Sequence, residues 1–162
     1  MLFDFSAMKF FSLYGLAAMI LMFIPSLIFA RMETHDRPDE IDNCGAGVCL
    51  MEVVSRIIVV ILLIFVRMPR LGDGVGIAAG VVLLVYYGLW LRYFVGGCHY
   101  PDLYTKRLLG IPVPMAVCSV AYFAILSIWL CNFYALVLTG VFGIAHIMNA
   151  LRARDDLLNR QI

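Results

Sequence analysis

Residues 111–151 contain no Asp, Glu, Lys or Arg. A single helix over that run would be about 60 Å long at 1.5 Å per residue, twice the roughly 30 Å of a bilayer's hydrocarbon core. The run therefore predicts two crossings joined by a turn. The turn belongs at Cys131-Asn132, near the midpoint, because Asn tolerates left-handed backbone and hydrogen-bonds its own turn. Residues 10–30 form a second uncharged block, long enough for one crossing. It exceeds the 7–15 residues of a signal-peptide core and ends without a small-x-small site, so it reads as a retained span. Pro25 sits near its end, where a membrane helix tolerates a kink.

The same pattern holds elsewhere. Hydrophobic residues make up 64% of the chain, against about 45–50% in soluble domains. The predicted fold class is all-α, a single integral membrane bundle of about five transmembrane helices. The spans fall at about residues 10–30, 48–66, 75–95, 115–130 and 133–149. A charged loop with Pro38 separates the first two, and Asp42 or Asn43 is placed to cap the second. Arg67, Pro69, Arg70, Gly72 and Asp73 break the chain before the third. Gly96, Gly97, Pro101, Pro112 and Pro114 break it again, with Pro114 suited to a first helical turn. Gly76 and Gly80 form a GxxxG, read as packing inside the bundle.

Net charge is +1 and no basic patch alternates with aromatics, which argues against nucleic acid as a partner. Five cysteines are present. Cys44 and Cys49 are separated by four residues, not the two of a redox pair, and free thiols are expected. No metal-ligand spacing, phosphate-binding loop or nucleophile motif appears, and the sequence leaves any cofactor unknown.

With five crossings, Lys9, Arg67 and Arg70 share one side. Every other basic residue outside the spans falls on the opposite side, so the positive-inside rule places the N-terminus outside and the C-terminus in the cytoplasm. Alternation then brings polar residues from distant segments to one depth, near the cytoplasmic leaflet. The candidate pocket is Glu52, Arg56, Arg92, His146 and Asn149, with His99 and Asp102 as secondary candidates in the loop above. Ionisable groups inside a bilayer are costly and seldom lack a partner or a task. Glu52 and Arg56 have the favoured i,i+4 order for a helical ion pair, and His146 and Asn149 share a helix face. The bland reading is helix packing; the sharper one is a site. Its chemistry would be proton relay, metal ligation by Glu52, His146 and His99, or capture of an anionic lipid head group by Arg56 and Arg92.

Three segments carry a resemblance: Ile24-Pro-Ser-Leu-Ile-Phe-Ala30, Glu52-Val-Val-Ser-Arg56 and Gly143-Ile-Ala-His146-Ile. They resemble uncharacterised small multi-span proteins of bacterial cytoplasmic membranes. The resemblance implies a bacterial inner-membrane location and no particular activity. The functional expectation is a small binding, transport-associated or accessory subunit, whose partners are the lipid bilayer and an anionic lipid head group or another membrane protein. The alternatives are a membrane-embedded enzyme acting on a lipid or isoprenoid-like substrate, and a purely structural bundle.

Overall fold

The computed structural model describes residues 11–42, 44–66 and 70–160. Lys9, Phe10, Asn43, Arg67 and Pro69, used in the sequence reading, lie outside the described residues. Apart from two isolated β-bridges, the regular structure of the described residues is helical, with α1 (Leu13–Phe29), α2 (Ala46–Phe65), α3 (Asp73–Val95), α4 (Asp102–Thr105), α5 (Pro114–Trp129) and α6 (Phe133–Asn159).

Local chemistry explains the boundaries. α1 begins at Leu13, later than expected, because Ser12 caps it: the Ser12 hydroxyl accepts the Gly15 N–H at 3.0 Å. The Ser12 N–H in turn donates to the Ile64 carbonyl at 2.8 Å, which pins the start of α1 to the end of α2. Asp42 does not cap α2, and Asn43, the other candidate, lies outside the described residues. The cap of α2 is Gly45 at φ 93°, a left-handed conformation suited to glycine. Asp42 instead accepts from Arg152 Nε at 3.0 Å, tying the first loop to α6. Pro114 opens α5 as expected. The turn after α5 is also where the sequence puts it. Cys131 takes φ 49°, and the Asn132 side chain caps α6 by accepting the Ala135 N–H at 3.0 Å. The Asn132 amide also donates to the Leu62 carbonyl at 2.9 Å, fastening the turn to α2. α6 continues past residue 149 to Asn159, carrying Arg152 to Asp156 on the same helix.

Three helices, α2, α3 and α6, are long and apolar enough to cross a membrane. α1 and α5 are apolar but shorter, at 17 and 16 residues, because Ser12 and the Cys131 turn cut them. The faces turned away from the bundle are greasy: Leu50, Val53, Ile57 and Ile61 of α2 and Leu84 and Leu91 of α3 are exposed. Only 17% of the apolar window of α2 is buried. Apolar surface on that scale suits a lipid solvent and would drive association in water.

α2 packs mainly on α6, and α3 and α6 each pack on α5. Small residues set the closest crossings. A Cβ on Gly15 would lie 1.9 Å from the Leu63 carbonyl oxygen, so α1 and α2 meet backbone to backbone at that end. Gly76 similarly receives the Trp129 indole, and Gly143 receives Val120. Of the GxxxG pair only Gly76 is used this way; a Cβ on Gly80 would meet nothing within 4 Å. Trp129 also meets Tyr14 edge-on and lies 5.7 Å from the Arg70 guanidinium. The two ends of the bundle thus differ. One is closed by Ser12, Arg70, Trp129 and Asn132. The other carries both charged loops and α4.

Candidate functional site

α1 and α2 touch at Gly15 and Leu63, and nearer the charged end residues of both line an open space. That space is a cavity of about 420 Å³ lined from every helix. Met22, Ser26 and Phe29 come from α1, Glu52 and Arg56 from α2, Tyr86 and Trp90 from α3, Tyr104 from α4, Ser119 and Phe123 from α5, and Phe142 and His146 from α6. Most of this wall is aromatic or aliphatic. The charged groups occupy one corner.

That corner is built on the α2–α6 seam. One oxygen of the Glu52 carboxylate accepts from Arg56 Nη2 one turn along α2. The same oxygen accepts from His146 Nδ1 at 2.9 Å. The second oxygen accepts from Asn149 Nδ2 at 2.6 Å. Asn149 is itself oriented, because its carbonyl oxygen accepts the Cys44 backbone N–H at 3.2 Å. The loop before α2 thereby fixes the amide that fixes the carboxylate. With Nδ1 donating to Glu52, the Arg56 Nη2 at 3.4 Å from that nitrogen is a close approach rather than a second bond. No described residue hydrogen-bonds the His146 Nε2. The imidazole stacks on Phe142, with centroids 4.9 Å apart and planes at 19°, and the Arg56 guanidinium lies 5.2 Å from the same phenyl ring. Side-chain exposure is 14% for Glu52, 25% for His146 and 36% for Arg56. The carboxylate is the enclosed member, and the guanidinium faces open space.

Four of the five residues in the expected pocket therefore meet: Glu52, Arg56, His146 and Asn149. Arg92 does not join them. It points along the outside of the α4 loop and donates to the carbonyls of Lys106 and Arg107, each at 3.2 Å. Being on α3, which is not a packing neighbour of α2, it has no route to Glu52. The secondary candidates are elsewhere too. His99 Nδ1 contacts Asp36 at 2.6 Å on the surface, and Asp102 holds Lys106 at 2.6 Å. The metal set of Glu52, His146 and His99 does not assemble, and no cluster of metal-ligating side chains occurs among the described residues.

The sequence reading missed the walls. Tyr86 and Trp90 are one turn apart on α3 and face inward, meeting edge-on with centroids 6.2 Å apart. Their i,i+4 spacing is visible in the sequence, but it does not say which face of α3 turns inward. Tyr100 and Tyr104, also four apart, close the charged end, their hydroxyls 3.3 Å from each other. Burial, with Tyr100 alongside, pushes the Tyr104 phenol well above its ordinary range, so it stays a hydrogen-bond donor. The first loop secures this cover. The His35 N–H donates to the Cys98 carbonyl, the Tyr100 N–H donates to the His35 carbonyl at 2.8 Å, and Arg37 lies over the Tyr100 ring.

Two buried donors in the cavity wall have no acceptor. The Arg56 Nε and the Trp90 Nε1 are both enclosed and unbonded. Trp90 as a whole is only 8% exposed. Comparison of the chain with protein-family models, with curated proteins and with solved structures gives no match.

Proposed function

We propose that this chain is a multi-pass membrane protein that binds a small amphiphile inside its helical bundle. The observation that carries the reading is the cavity itself. Interiors are packed like organic crystals, with few voids larger than a water molecule. A space of about 420 Å³ lies within the roughly 300–1,000 Å³ of small-molecule sites. Its aromatic lining suits an apolar body, and its single polar corner suits a head group. A bundle whose polar residues served packing alone would close this space. The five-crossing arrangement follows if α1 and α5 cross with their flanking residues. The bias of Lys and Arg supports a cytoplasmic charged end, and the three resembling segments support a bacterial inner membrane.

The Glu52–His146 couple favours one second reading, a membrane-embedded enzyme. A carboxylate that orients an imidazole through Nδ1 and leaves Nε2 toward a cavity is the base half of an acid–base site. That reading requires a reacting group beside Nε2, and no Ser, Cys or Thr of the described residues bonds it.

Access and occupancy test the proposal together. Ser119 lines the cavity, whereas Ser127, on the same helix, is buried without lining it. Ser119→Cys is expected to gain one small methanethiosulfonate label in membranes, read by intact-mass spectrometry, and Ser127→Cys none. Native mass spectrometry of the wild type is expected to retain a small amphiphile that Ala116→Trp, which fills the cavity, excludes. Equal labelling of both cysteines, or equal occupancy in both proteins, would overturn the binding role.

A further inference from the structure

The charged corner presents two unused side-chain atoms to the cavity. His146 Nδ1 bonds Glu52 at 2.9 Å, while Nε2 has no partner among the described residues and is not enclosed. With Nδ1 carrying the hydrogen that Glu52 accepts, Nε2 offers a lone pair. Beside it stands Arg56, whose Nη2 serves Glu52 and whose Nη1 has no partner among the described residues and is likewise not enclosed. The two side chains touch, with Arg56 Nη2 3.4 Å from His146 Nδ1. The hydroxyls of the wall already meet a group. Ser26 and Tyr86 meet each other at 3.5 Å, Tyr100 and Tyr104 at 3.3 Å, and Ser119 donates to the Ala116 carbonyl at 2.8 Å. The corner therefore offers an acceptor and a cationic donor side by side.

That combination discriminates among head groups. An ester, ketone or ether only accepts; it satisfies Arg56 and leaves Nε2 bare. An ammonium donates to Nε2 but brings a second cation to the guanidinium and accepts nothing from it. An O–H group does both, donating to Nε2 and accepting from Arg56. A carboxylate reaches the same end when it enters with a proton. Whether that proton sits on the ligand oxygen or on Nε2, one hydrogen joins O to N, and Glu52 and Arg56 still neutralise each other. A bare anion would instead add an uncompensated charge beside Glu52.

On the reading that the cavity binds an amphiphile, we infer that its ligand carries an O–H head, an alcohol or an acid taken up with its proton, seated between His146 Nε2 and Arg56. The ionisable groups that share the cavity with His146 are Glu52 and Arg56 of α2, Tyr86 of α3, Tyr104 of α4 and Tyr100 just before it. The described lining residues of α1 and α5 carry none.

Three chain-matched probes isolate the head: 11-bromoundecanol, 11-bromoundecanoate and methyl 11-bromoundecanoate. Bromine quenches indole fluorescence on contact. The chain has two tryptophans, Trp90 in the cavity wall and Trp129 at the opposite end of the bundle. In detergent, Trp129→Phe reports on Trp90 alone and Trp90→Phe on Trp129 alone. The alcohol or the acid is expected to quench Trp90 saturably, and the methyl ester to bind about tenfold more weakly, the effect of leaving one acceptor unbonded. Trp129 should respond to every probe only in proportion to its concentration in the micelle. His146→Phe in the Trp129→Phe background keeps an aromatic ring and removes Nε2, so the O–H probes should lose their advantage over the ester. The pH separates the two sources. Acid binding is expected to weaken from pH 7 to pH 9, because its proton must come from solution, and alcohol binding to hold. Native mass spectrometry of the wild-type protein with each probe reads the same order of heads and requires no variant to fold.

An ester that binds as tightly as the O–H probes, a His146→Phe protein that keeps the preference, or an acid that alone binds and does so equally at pH 7 and pH 9 would overturn the O–H inference while the amphiphile cavity stands. If Trp90 and Trp129 respond alike to every probe and native mass spectrometry retains none, the inference fails along with the cavity reading beneath it.

Discussion

Replacing Glu52 by Gln tests whether the charged corner is a single wired unit. The substitution conserves shape and removes the charge. Gln Oε1 can still accept from Arg56 and His146, but its amide now meets the Asn149 amide, which donates to Glu52 at 2.6 Å. Turning Asn149 over does not relieve this, because its oxygen is needed by the Cys44 N–H at 3.2 Å. One donor is therefore stranded wherever the flip settles, and Arg56 loses its counter-ion. Breaking a buried ion pair from one side costs about 3–5 kcal/mol; with the guanidinium partly exposed, about 2–4 kcal/mol is expected. At about 2–4 °C per kcal/mol for a chain of this size, the unfolding midpoint should fall by about 4–16 °C. With Cys44, Cys49 and Cys131 replaced by Ser, the buried thiols Cys98 and Cys118 make a thiol-reactive dye a reporter of unfolding in detergent. The double variant Glu52→Gln/Arg56→Gln removes the stranded cation and should recover part of the loss. A Glu52→Gln protein that unfolds at the wild-type temperature would refute the network. So would a double variant whose loss equals the sum of the two single losses, since independent groups add.

Two further substitutions probe how the bundle is held open. Gly15→Val places side-chain carbons where the Leu63 carbonyl already lies 1.9 Å from a Cβ position; α1 must lift from α2, and the expected result in size-exclusion chromatography is aggregation or loss of the monodisperse peak. Asn132→Ala removes both the α6 cap and the bond to Leu62, costing about 2 kcal/mol. Asn132→Ser restores the cap alone and should recover about half of the lost melting temperature; full recovery would mean that the Leu62 bond contributes nothing.

Much of the helical layout is legible without coordinates. Charge-free runs, Pro114 at a first turn and Asn132 at a reversal are local signals, and the long helices begin and end within a few residues of where those signals put them, except that α6 runs ten residues past 149. The early stop of α1 is also local in origin, a serine cap, but Ser12 sits inside an apolar run that hydropathy alone reads as continuous. The meeting of Glu52 and Arg56 needs only the i,i+4 rule.

Which distant residues complete that pair depended on packing. Hydropathy assigns Arg92 and His146 the same depth, yet depth is one coordinate of three. The close packing of α2 on α6 brings His146 and Asn149 to Glu52, while Arg92 rides on a helix that α2 does not pack against and turns to the α4 loop. The cavity is a tertiary product as well. Its wall takes side chains from all six helices, and no periodicity along one segment records which faces of the others will meet it. The amino-acid order alone determines which segments are helices and which groups are too polar for their surroundings. Only the fold decides which of those groups share a wall, because neighbours across a bundle are chosen by rotation about each helix axis, and that is set by contacts between helices rather than within them.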